Sequence, residues 1–247
     1  MNILMCGDTH GDIENVVKAL EYACLNDCTI LFILGDFGYF PNLEKYGSFI
    51  LEVSKESKRF GVEVHWLRGN HENHEALKRI CKGKIDTVEM EPNVFYHPNA
   101  NSWGWDGITF LAMGGAHSID KPYRKQGRDW FPGETIAVED MYKTYGLGQI
   151  DVVLSHDSPI SSNLDDYLDF YLAGETQTNR NQLQDVINNV RPKINFHGHY
   201  HTRFQGKGSF NTEDGIKEFD TICLDCHGVG QYYIFNTDLF RKDYNIA

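Results

Sequence analysis

Five short polar stretches, "GDTHGD" (7–12), "LGDFG" (34–38), "LRGNHEN" (67–73), "LSHDSP" (154–159) and "HGHYH" (197–201), each end an apolar run. Between them they carry Asp8, Asp36 and Asn70 together with His10, His71, His156, His199 and His201. Carboxylate and amide oxygens mixed with imidazoles suit divalent transition ions of intermediate softness, such as Mn, Fe, Zn, Ni or Co. The set is too large for one tetrahedral ion. Two ions about 3.5–4 Å apart, sharing one carboxylate, account for the surplus. Each residue also has a plainer reading: an aspartate can cap a helix, an asparagine can sit in a turn, and a lone histidine is more often structural. The plain reading requires all of them to coincide at the ends of apolar runs.

The elements that must position these residues follow from periodicity. "NILMC" (2–6), "TILFIL" (29–34) and "VEVHWL" (62–67) read as buried strands. Between and after them lie helical stretches at 12–26, about 43–59 and about 73–82, the first with Ile13, Val16, Val17, Leu20 and Ala23 on one face and Asp12 as N-cap. This alternation predicts parallel strands with helical crossovers. Further strands are expected at 93–97, 108–113, 151–155, 193–197, 217–225 and 231–236, with helices at about 134–145 and 178–190. Strands that follow one another without helices point to antiparallel pairing in a second sheet. Ligands bind beyond the carboxyl ends of parallel strands, so the five stretches should meet at one rim. No repeat or low-complexity linker interrupts the chain, and one domain over 1–247 is expected.

Asp8-Thr9-His10, Gly35-Asp36, Gly69-Asn70-His71-Glu72, His156 and Gly198-His199-Tyr200-His201 resemble, in order, the blocks of the calcineurin-like metallophosphoesterases. The resemblance spans residues 8 to 201 and implies an α/β fold, a four-layer α/β/β/α sandwich of two mixed sheets. It further implies that Asp8, His10, Asp36 and His201 hold one metal ion. Asn70, His156 and His199 would hold the other, with Asp36 bridging. His71, not a ligand in this pattern, would protonate or stabilise the leaving alkoxide of a phosphoester. Glu72 is expected to support a turn.

"GDTHG" and "LRGNHE" resemble the serine/threonine protein phosphatase branch, whose second block reads G-D-x-x-D-R-G. Here it reads Gly35-Asp36-Phe37-Gly38-Tyr39-Phe40-Pro41. The aspartate that orients the catalytic histidine and the arginine that grips phosphate are both absent. A monoester dianion gains more from an arginine clamp than a diester does, so the expectation tilts to a phosphodiesterase acting on small nucleotides such as cyclic nucleotides. The alternatives are a phosphomonoesterase resembling the protein phosphatases and a non-catalytic scaffold. The latter is disfavoured because no ligand position is lost. The segment "GGAHSIDKPYRKQGRDWFPGE" (114–134) reads either as a solvated loop or as a lid, with Arg124 or Lys121 on phosphate and Tyr123 or Trp130 on a base.

Composition narrows the partners. Acidic residues outnumber basic ones 35 to 23, a net charge of −12, which repels extended nucleic acid. No run is long enough to span a bilayer, and the N-terminus lacks the basic start and apolar core of a signal peptide. A cytoplasmic setting is therefore expected. Of the six cysteines, Cys6 and Cys24 are expected to be buried reduced thiols, and Cys223 and Cys226, half of a zinc motif without its complement, are expected to serve packing. His65, His74, His97 and His227 are expected to be structural.

Overall fold

A computed structural model describes residues 1–39, 48–168 and 174–246. The first sheet contains β1 (Asn2–Cys6), β2 (Ile30–Ile33), β3 (Glu63–Trp66), β4 (Val88–Glu91), β5 (Val94–Tyr96) and β12 (Tyr232–Asn236). Their order is β12-β1-β2-β3-β5-β4, with β1, β2, β3 and β5 parallel and both edges antiparallel. The second sheet contains β6 (Ser102–Trp105), β7 (Ile108–Met113), β8 (Val152–Ser155), β9 (Ile194–His197), β10 (Phe204–Thr212) and β11 (Gly215–Cys223). Its order is β10-β11-β9-β8-β7-β6.

Strand alternation divides the core. Ile3, Met5, Phe32, Phe110, Val152, Leu154, Ile194 and Phe196 point between the sheets and form one fully buried cluster. Leu4, Leu31, Ile33, Val64 and Trp66 point outward and are covered by α1 (Ile13–Leu25) and α2 (Phe49–Phe60), with α3 (His74–Cys81) alongside. On the far side Leu111, Met113 and Val153 pack under α4 (Val138–Lys143) and α5 (Glu175–Val190). The result is the expected four-layer α/β/β/α sandwich, closed by α6 (Thr237–Tyr244).

The expected first half holds closely. Asp12 caps α1 by accepting from the backbone N–H groups of Glu14 and Asn15. The helix expected from about 43 begins at Phe49 among the described residues, and 43–47 lie outside them. The second half differs from the antiparallel expectation. β7, β8, β9 and β11 run parallel, and only β6 and β10 are antiparallel to their neighbours. The cause is that α4 and α5 act as crossovers, returning the chain to the same end of the sheet. The 231–236 strand leaves the second half altogether and pairs with β1 at the edge of the first sheet.

Candidate metal centre

The carboxyl ends of β1, β2, β3, β8 and β9 all face one rim, and the chain turns sharply there. His10, Asp36, His199 and His201 adopt left-handed backbone conformations, with φ of 51, 47, 70 and 49°. Such conformations are uncommon for residues with a Cβ and concentrate at functional sites. Two glycines make room for them. A Cβ on Gly69 would stand 2.0 Å from Asp36 Oδ1, and one on Gly198 would stand 2.3 Å from Asp8 Oδ1. Only glycine lets these backbones approach the carboxylates so closely.

The side chains converge. Asp8 and Asp36 are each 1% exposed. His201 Nε2 lies 3.2 Å from Asp8 Oδ2 and 3.0 Å from His10 Nε2. His10 Nδ1 is 3.7 Å and His71 Nε2 3.6 Å from Asp36 Oδ2. His156 Nε2 is 3.5 Å from the same oxygen and 3.0 Å from Asn70 Oδ1. Three groups could each hold a cation: Asp8, His10 and His201; His10, Asp36 and His71; and Asp8, Asp36 and His156. Asp8, His10 and Asp36 each recur in two of the three groups, so the groups overlap in one centre. His199 falls in none of these groups. Its ring lies 5.0 Å from that of His156, and its backbone N–H donates to Asp8 Oδ1.

The donor set fits a cation. His156 Nδ1 donates to the carbonyl of Leu34 at 2.8 Å, which leaves a lone pair on Nε2 of the neutral ring. That nitrogen faces Asn70 Oδ1 and Asp36 Oδ2, so three acceptors meet with no donor among them. Burial pulls the His156 pKa down, but the charges of Asp36 and Asp8 outweigh it and carry it up to about 10. In the absence of metal the cluster thus captures a proton at the point where a cation would sit. Burial likewise raises Asp36, and His71 and His156 overcome it to hold the carboxyl well below the usual range.

Around this cluster lies a cavity of about 410 Å³, lined by Asp36, Asn70, His71, Ser118, Ile119, Asp120, Arg124, His199, Tyr200 and His201. Arg124 packs on His71, with Nη2 3.1 Å from Nε2 and Nη1 closer still to Nδ1, while Asp120 accepts from its Nε at 2.6 Å. Lys121 sits 4.7 Å over the ring of Trp130, and Tyr123 is 91% exposed; neither lines the cavity. Glu72 takes the expected supporting position. Its carboxylate accepts from the N–H groups of Gly38 and Gly69, bracing the second and third turns, and burial followed by Asp36's charge pushes it up to about 7.

Three further residues escape sequence reasoning. Ser118 and Glu134 are buried behind Asn70. Arg68 donates to the carbonyls of Gly133 (2.8 Å), Glu134 (3.1 Å) and Thr135 (2.8 Å), tying the end of the 114–134 segment to the third turn. Arg68 lies inside "LRGNHEN", which was its only signal. Ser118 and Glu134 carried none, being ordinary polar residues of a polar stretch.

The calcineurin-like phosphoesterase family model matches residues 1–203. No curated relative matches the sequence significantly. Among solved structures, the protein TT1561 of Thermus thermophilus is similar at 13% identity and a TM-score of 0.52, over 95% of this chain and 98% of that one. A dimetal phosphatase from Danio rerio is similar at 13% identity and a TM-score of 0.50, over 94% of this chain and 88% of that one. At such identities these likenesses concern the fold alone.

Proposed function

The chain belongs to the calcineurin-like phosphoesterase family and is a metal-dependent phosphoester hydrolase; from that premise we propose that it cleaves small nucleotide phosphodiesters, cyclic nucleotides among them. Asp8, His10, Asp36 and His201 would hold one divalent ion, and Asn70, His156 and His199 the other, with Asp36 between them. Two bound dications would neutralise phosphate charge and acidify a water molecule toward neutral pH. The chain's own residues do the rest. The rim of left-handed turns fixes the ligands before substrate arrives, so little reorganisation accompanies reaction. His71 stands at the cavity wall with Nε2 3.6 Å from Asp36 Oδ2 and passes its proton to the leaving alkoxide. Arg124 meets a non-bridging phosphate oxygen. Lys121 and Tyr123, outside the cavity lining, meet only those parts of a substrate that extend beyond it.

The observation that carries the diester reading is the charge of the wall. Among the described residues Arg124 is the only lysine or arginine lining the cavity, and Asp120 already pairs with it. A wall with so little free positive charge suits a monoanionic diester better than a dianionic monoester. The test compares bis(p-nitrophenyl) phosphate with p-nitrophenyl phosphate, then cyclic nucleotides, dinucleotides, nucleoside monophosphates and phosphopeptides, with Mn, Ni, Zn and Fe supplied in turn. Diesters should show the higher kcat/KM by at least about tenfold, a transition-state preference of about 1.4 kcal/mol. A reversed order makes the protein a phosphomonoesterase. A metal-loaded protein inert toward every substrate makes it a scaffold.

A further inference from the structure

The ligating atom of an asparagine is an ambiguous choice, because the amide presents a donor and an acceptor of nearly the same shape. A cation needs the oxygen. Asn70 is 3% exposed, so no solvent decides which end faces the metal centre. We propose that Ser118 and Glu134 are positioning residues that decide it, holding the Asn70 amide nitrogen from behind so that its oxygen faces the ions. The inference rests on the two-metal reading given above.

The geometry forms a directed chain. Asn70 Nδ2 donates to Ser118 Oγ at 2.8 Å, and Ser118 Oγ donates to Glu134 Oε2 at 2.6 Å. The sense of the chain is fixed at its far end. Trp130 Nε1 donates to the same Oε2 at 2.8 Å, and an indole N–H can only donate. Oε2 is therefore an acceptor, and Ser118 spends its one proton on it. What remains toward Asn70 is a hydroxyl lone pair. A flipped Asn70 would turn its oxygen to that lone pair, leaving two buried acceptors face to face with no donor between them. The unflipped amide satisfies Ser118 with its nitrogen and turns Oδ1 toward His156 Nε2, where a cation would complete the set of acceptors. Glu134 is 3% exposed, and its other oxygen lies 3.5 Å from His117 Nδ1, so the carboxylate is itself held on both sides.

This gives the 114–134 segment a task beyond covering the site. It supplies the rear support of one metal ligand. Partners that orient metal ligands from outside contribute about 10- to 100-fold in metal affinity.

The test is a titration of the metal-free protein with Mn²⁺, followed by calorimetry and electron paramagnetic resonance, for wild type, Ser118→Ala, Glu134→Leu and Glu134→Gln. Wild type should bind two Mn²⁺ with a spin-coupled signal. Ser118→Ala and Glu134→Leu should weaken one of the two ions by about 10- to 100-fold, replacing the coupled signal with an isolated one, while the other ion binds as before. Glu134→Gln keeps an acceptor for Ser118 and Trp130 and should stay within about threefold of wild type, a rescue that loss of packing alone would not produce. Thermal unfolding of metal-free Ser118→Ala close to that of wild type separates the effect from misfolding. If wild type binds two ions and Ser118→Ala binds both equally well, the positioning role is overturned and the two-metal reading stands. If wild type binds fewer than two, both fall together.

Discussion

The guanidinium of Arg124 lies on the imidazole of His71, Nη2 3.1 Å from Nε2, and Asp120 grips its other edge. A permanent cation against a histidine disfavours the imidazolium. His71 is lowered from its ordinary value, first by burial and then by Arg124, with Asp36 opposing. Arg124, from a different segment than the second sequence block, would touch both the proposed proton donor and the proposed phosphate position, with Asp120 already pairing its charge.

Replacing Arg124 should therefore act in two ways. Arg124→Ala should lower kcat/KM by about 10- to 100-fold, the scale of a lost charge-assisted hydrogen bond. It should also raise the His71 pKa. A group that must be protonated to act loses activity as pH rises through its pKa, so the alkaline limb of the kcat profile should move to higher pH in the variant. The profile of kcat against pH, measured for both proteins with one diester, reads this directly. A variant with unchanged efficiency on every active substrate would remove Arg124 from the reaction.

His71→Asn separates proton transfer from metal binding. Although His71 lies within reach of Asp36 and His10, Asp36 is also approached by His10 and His156. Loss of general acid catalysis should reduce kcat by about 10²–10⁴, while the metal content of the purified protein stays at the wild-type value. Substrates with good leaving groups, which need little protonation, should lose least. Equal loss on good and poor leaving groups would show that His71 does something other than protonate.

Gly69→Ala should empty the centre without unfolding the sheet. The new methyl would have to stand 2.0 Å from Asp36 Oδ1 and 2.4 Å from the Asp36 backbone nitrogen, so the shared carboxylate must move. We expect metal content well below two ions per chain and activity reduced at least about 100-fold, given how steeply misplacement is penalised in a fixed site. Circular dichroism should be unchanged. Full metal loading in this variant would mean that Asp36 can shift and still bind.

Much of this site was legible because strands that end in glycine-flanked polar turns reveal both an element and its terminus. β1 with Asp8 and His10, β2 with Asp36, and β3 with Asn70 and His71 lie where periodicity placed them. The helices at about 134–145 and 178–190 were expected, but the mostly polar "NRNQLQDVINN" gives little sign of which sheet α5 covers, so its role as a crossover, and with it the direction of the later strands, was hidden. The edge strands β6 and β10 were missed for a related reason. Half-exposed edges need few apolar residues, and "SWGW" and "FQGKGSFNT" are broken by glycines. The Ser118–Glu134 support was out of reach altogether. It depends on a loop folding back on itself behind Asn70, a relation that no local spacing encodes.

A pair of histidines away from the metals makes stability sensitive to acid. His65 Nδ1 lies 2.8 Å from His97 Nε2, and both rings are buried among Phe32, Trp103 and Trp105. One proton can lie between those nitrogens; a second would put two cations side by side in an aromatic box. Burial drives His65 down to about 3, and burial followed by the charge of His65 keeps His97 well below its ordinary value. The unfolded chain takes up a proton on each near pH 6.5, while in the folded protein His65 refuses its own until about pH 3 and His97 until well below its ordinary range. Stability from the pair is therefore complete above pH 6.5 and is lost progressively as pH falls from there toward 3. At pH 5 His65 should cost about 2 kcal/mol, and His97 adds to the loss in the same direction. Urea unfolding at pH 7 and pH 5, with chelator present so that metal loss does not contribute, should show this fall in wild type. His65→Gln should lose stability at pH 7 yet fall less between the two pH values. An equal fall in both proteins would place the acid sensitivity elsewhere.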